Sequence, residues 1–148
     1  MADPTYIILV VLHIISAATA FAITMPVASA LRRAAGQGRE AKAAIAQLAN
    51  RTGMFATIFG TATLATGLAL IFYRGGFKAI PPTIHAAMGL VIVMLVLGQV
   101  LQRPTCARIT AAVDQGDEAW AAARKRFVMG DGILQLLWVV VLVLMFIK

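Results

Sequence analysis

The sequence predicts an all-α integral membrane protein, an up-down four-helix bundle folded as one domain over residues 1–148. Three observations predict it. Apolar residues make up 61% of the chain and charged residues 13%, with a mean hydropathy of +0.88. Soluble domains run near about 47% and about 25%. A soluble domain of about 150 residues still exposes roughly 30% of its unfolded area, so it cannot hide this much apolar surface. A soluble globular enzyme and a disordered chain are both excluded. Second, four apolar stretches each approach the ~20 residues that a helix needs to cross ~30 Å of hydrocarbon. Third, the basic residues gather in alternate loops.

The first span is expected over residues 5–31, opened by Asp3 as a capping residue with Pro4 at the first helical position. The second covers 54–73 and stops at Gly75-Gly76. Pro81-Pro82 opens the third, over 83–101, and the fourth covers 127–147. Residues 40–49 and 107–126 are rich in good helix formers and are expected to extend the spans as helical stalks. Val27-Ala-Ser-Ala30 resembles a signal-peptidase site, but the preceding stretch carries Asp3 and no Lys or Arg, so the first span is read as uncleaved.

Ten basic residues, among them Arg32, Arg33, Arg39, Lys42, Arg124 and Lys125, fall in the first and third loops, against three elsewhere. The positive-inside rule then places both termini outside (periplasmic) in an inner plasma membrane. Tyr6 and Tyr73 fall near the outer interface. The net charge of +7 is assigned to anionic lipid headgroups, and no nucleic-acid partner is expected. The single Cys106 allows neither an intrachain disulfide nor a thiolate metal cluster.

Both histidines, His13 and His85, fall within spans, where an ionisable group is a functional candidate. Imidazole is also the commonest haem and metal ligand at neutral pH. Ala17, Ala20 and Thr24 share the His13 face; Gly89, Ile92, Val96 and Gln99 share that of His85. Small groups such as Ala17, Ala20 and Gly89 leave room for a macrocycle, and equally for close helix packing. Helix rise gives the two histidines depths about 7 Å apart, to be closed by tilt or by a Pro81-Pro82 turn dipping inward. Met88 and Met145 offer thioethers that with His85 suit Cu(I). Gln99 and Gln135 are expected to hydrogen-bond to each other, and Asp131 to pair with Arg124, Lys125 or Arg126. Gly60, Thr63 and Gly67 share a face read as packing.

Leu12-His13-Ile-Ile, Met25-Pro26, Leu31-Arg-Arg33, Ile84-His85-Ala-Ala-Met-Gly-Leu-Val91 and Arg124-Lys-Arg-Phe127 together resemble a superfamily of small four-helix membrane proteins. It includes HemJ-like protoporphyrinogen oxidases and CopD-like copper-resistance domains. The resemblance spans nearly the whole chain and implies haem or porphyrin binding through His13, with His85 as a second ligand. Where HemJ-like proteins carry a lysine after the third-span histidine, this chain has Ala86, Ala87 and Met88. The leading expectation is a haem b-binding membrane protein in electron transfer or tetrapyrrole handling. The alternatives are a porphyrinogen oxidase, a copper-binding or transport protein, and a cofactor-free assembly subunit. The expected partners are lipid, a redox partner or quinone, and a second copy of the chain.

The topology makes a direct prediction. In a Cys106→Ala background, a cysteine at position 76 should react with an impermeant reagent on intact cells, and one at position 38 only after permeabilisation. Labelling of position 38 from outside would reverse the orientation.

Overall fold

The computed structural model describes residues 3–147. It is all-helical among these residues, with helices α1 (Pro4–Ala22), α2 (Met25–Arg33), α3 (Arg39–Tyr73), α4 (Pro82–Leu97), α5 (Arg103–Ala112) and α6 (Asp117–Phe146). They form four rods, each containing a stretch long and apolar enough to cross a membrane: Pro4–Gly36, Arg39–Tyr73, Pro82–Ala112 and Asp117–Phe146.

The first rod is not one straight helix. Pro26 has no N–H to offer the Ala22 carbonyl, and α1 ends there; α2 begins at Met25. Asp3 caps α1 as its sequence suggests, accepting from the Thr5 amide at 2.9 Å. The third rod continues past residue 101 through a π-helical turn, Gly98–Gln102, into α5. Pro104 lies just beyond that turn and deprives the Val100 carbonyl of its regular partner, so the helix widens rather than stops. At the end of α3 the chain reverses through Gly75 (φ +101°) and Gly76 (φ +87°), where a side chain would be strained. Gly76 N–H donates to the Ile71 carbonyl at 2.9 Å and closes the helix.

Residues 40–49 and 107–126 do form helical stalks, interrupted only by the turn ending at Gly116. With 35 residues, α3 is roughly 52 Å long, well beyond the hydrocarbon thickness. The stalk end holds the tightest core. Leu31 of α2, Ala46 and Ala49 of α3, Ile109 of α5 and Trp120 of α6 are all essentially inaccessible. Lys42 joins this cluster: its stem is buried, its ammonium pairs with Asp117, and it lies 5.8 Å from the Trp120 ring centroid. Arg39 Nε donates to Asp114 at 2.6 Å. These two cations, expected at lipid headgroups, are therefore engaged by the acidic start of α6 and the turn before it.

At the other end, which carries both termini, α1 packs on α3 and α4 packs on α6. Outward faces are apolar throughout: Ile8, Ile14, Val96, Leu136 and Val143 are all about half exposed or more. A surface of this kind suits lipid and far exceeds what a soluble monomer exposes. Trp120→Ala should cost about 3–5 kcal/mol by emptying the stalk cluster. Chemical denaturation in mild detergent is the check; a loss under 1 kcal/mol would show that the cluster does not hold the rods together.

Candidate functional site

The two helix pairs line an open cavity of about 390 Å³ in the half of the bundle nearer the termini. All four rods line it: His13 and Ala17 from α1, Thr63 and Gly67 from α3, Met88 from α4 and Met145 from α6. Its walls are mainly apolar. The volume lies within the roughly 300–1,000 Å³ of small-molecule and cofactor sites.

His13 is held from α3. Its Nδ1 lies 3.0 Å from the Thr63 carbonyl oxygen and 3.1 Å from Thr66 Oγ1. The Thr66 hydroxyl itself donates to the Ala62 carbonyl at 2.7 Å, so it meets His13 with a lone pair. Two acceptors facing Nδ1 require the proton to sit on Nδ1, which leaves Nε2 as an unprotonated donor atom. Nε2 has no hydrogen-bond partner among the described residues. A ring nitrogen fixed by a backbone carbonyl while the other is free is the arrangement that orients metal-ligating histidines. Gly67 makes the close approach possible, because a Cβ there would sit 3.1 Å from His13 Cε1.

The rim of the cavity is polar. Tyr6 and Tyr73 pack with centroids 5.7 Å apart. The Tyr73 hydroxyl donates to Asp3, and Arg74 donates to the Tyr6 hydroxyl with its guanidinium 5.4 Å from the ring centroid. The Asp3 carboxyl is held below its ordinary value, chiefly by the Tyr73 hydroxyl and then by the Thr5 amide. A depressed folded value means that the tie is complete above the ordinary carboxylate range and lost only as pH falls through the lowered one. Arg74 lines the cavity and gives its mouth a cation.

His85 lies elsewhere. Its Nδ1 is 3.2 Å from the Pro81 carbonyl oxygen of its own helix, and its ring packs on Phe77 with centroids 5.9 Å apart. It does not line the cavity. Two residues along a helix is a rotation of about 200°, so the inward face of α4 is Ala87, Val91 and Met94, opposite His85. The stripe read from His85 points outward: Gly89 meets open space, Ile92 is 45% exposed and Val96 55%. Of the small residues, Ala17 lines the His13 cavity, Ala20 lines a second cavity, and Gly89 lines neither.

The polar residues of α6 also find other partners than expected. Gln135 Nε2 donates to the Phe21 carbonyl at 3.2 Å and to Thr24 Oγ1, at the break between α1 and α2. Gln99 instead donates to Thr57 Oγ1 at 3.1 Å and accepts from Arg103 at 3.3 Å. Gln135 faces the α1–α2 break and Gln99 faces α3, so the expected Gln99–Gln135 bond does not form. Asp131 makes no salt bridge among the described residues; Lys125 and Arg126 are exposed while Asp131 is 6% exposed, on an inward face.

Thr63 and Gly67, read from the sequence as packing, and Thr66, which that reading did not include, are the residues that hold His13 and make room for it. Their signal was present, as small and hydroxylated residues at helical spacing opposite an intramembrane histidine. Gly67→Ala should push the His13 ring by a few tenths of an ångström and change the spectrum or affinity of any bound metal. Gly89→Ala should leave both as they are. Equal behaviour of the two variants in metal titration would remove His13 from the site.

Searches against protein-family models, curated proteins and solved structures found no match to this chain.

Proposed function

We propose that the chain is a haem b-binding membrane protein acting in electron transfer or tetrapyrrole handling, with His13 as an iron ligand. The observation that carries this reading is the fixed tautomer of His13, whose free Nε2 belongs to a cavity large enough for an organic cofactor. Met88 and Met145 line the same space and supply thioethers, so His–Met ligation fits the donor set better than His13–His85. Arg74 at the mouth suits the carboxylate of a bound ligand. Bound haem would supply a one-electron centre whose potential follows its axial ligands and apolar surroundings. The likeness of the His13 segment to HemJ-like proteins supports the same ligand class. Apolar rods with basic stalks support a multi-pass plasma-membrane location with both termini outside.

A second reading rests on the same three side chains. His13, Met88 and Met145 form a soft donor set suited to Cu(I). A lone ion would leave most of about 390 Å³ unfilled, which supports an organic ligand in this space.

Protein expressed with haem supplied and purified in mild detergent should show a Soret band. His13→Ala should abolish it, and His85→Ala should retain it. Met88→Leu or Met145→Leu should shift the potential or spin state, whichever residue is the second ligand. No Soret band in the native protein, with one copper bound per chain, would replace haem by copper. A Soret band unchanged in His13→Ala would refute the site.

A further inference from the structure

A second cavity, of about 430 Å³, lies toward the stalk end, and Val91 and Trp138 line both it and the His13 cavity. Its polar lining is distinctive. Asp131 is 6% exposed and makes no salt bridge among the described residues; the Thr24 hydroxyl is its hydrogen-bond neighbour. The side-chain oxygens of Gln102 and Gln135, also in the lining, are fully buried and have no hydrogen-bond partner. A buried acceptor left unpaired costs free energy, and two groups of that kind beside a buried carboxyl call for an occupant that carries donors. Gln102 is presented by the π-helical turn, and its Oε1 lies where a Cβ on Gly130 would be only 3.0 Å away. π-Helical turns recur where a helix is reshaped around a functional site.

The remaining walls define the rest of the occupant. Leu134, Trp138 and Phe127 are apolar or aromatic and suit a flat ring. Met54 and Ile58, which also line the space, are 55% and 52% exposed on the apolar outer surface of α3. Entry is thus from the side where lipid chains would lie, which selects a lipophilic molecule. Arg103 in the lining disfavours a cationic head.

We propose that this cavity binds a quinol, a dihydroxy-aromatic head on an apolar tail, with one hydroxyl donating to the Gln102 carboxamide oxygen and the other shared between Asp131 and Gln135, one helical turn apart on α6. Binding stands on this cavity alone.

The test is equilibrium titration of a short-tailed benzoquinol, kept reduced, into the full chain in mild detergent, followed by calorimetry and tryptophan quenching. The quinol should bind at least tenfold more tightly than the matching quinone, which has acceptors only. Asp131→Leu and Gln102→Leu should each weaken quinol binding at least tenfold. Gly130→Ala, which displaces the Gln102 carboxamide with little change in volume, should do so if the leucine variants do not fold. His13→Ala should leave quinol affinity unchanged, so failure of the haem site and failure of this one are separable. Equal affinity for quinol and quinone, no saturable binding to the native chain, or full affinity in Gly130→Ala and Asp131→Leu would overturn the assignment.

Discussion

The whole arrangement depends on the stalk cluster built around Trp120, Leu31 and Ile109. These side chains come from the three rods that end or turn there, and α3 adds Ala46 and Ala49. Because every rod is pinned at that end, the remainder of the bundle need not be filled. Small residues at the contacts let the helices approach there, and the two cavities lie between the helix pairs, one of them bordering this cluster at Ala49, Cys106 and Phe127. Packing of the stalks therefore supplies the rigidity, and looser packing between the α1–α3 and α4–α6 pairs supplies the space.

Proline sets the local chemistry inside this frame. Pro26 and Pro104 each withdraw one amide hydrogen, and backbone groups in an apolar environment must be satisfied some other way. At the first break the Phe21 carbonyl and Thr24 hydroxyl are met by Gln135 from α6. At the second, the chain widens into a π-helical turn that carries Gln102 toward Gly130. These irregularities bring Thr24 and Gln102 to the interior, beside Asp131 and Gln135 from the regular helix α6.

Much of the fold was legible in the sequence because hydropathy and helix length are local properties. The four spans, the Asp3–Pro4 start, the stop at Gly75–Gly76 and the helical stalks all rest on such signals. The stalk core was not legible, since alternating charge and alanine conceal which face is buried. Lys42 reads as a solvated or headgroup-facing cation, yet its stem is interior. For the site, His13 was legible as an ionisable group in an apolar run, but its tautomer depends on Thr63, fifty positions away. The outward stripe through His85, Gly89, Ile92 and Val96 shows the limit most clearly. In a helix as apolar as α4, hydrophobicity does not mark an inner face, so rotation about its axis is set by tertiary packing alone.

The pairing of Lys42 with Asp117 and of Arg39 with Asp114 has a consequence for biogenesis. The cations precede their acidic partners by 75 positions. During synthesis Arg39 and Lys42 are made with α3, before either carboxylate exists. Only when the chain has grown past the third rod do the carboxylates arrive. The two pairs therefore join the start of α3 to the turn before α6 and its first residue only after the chain has reached α6.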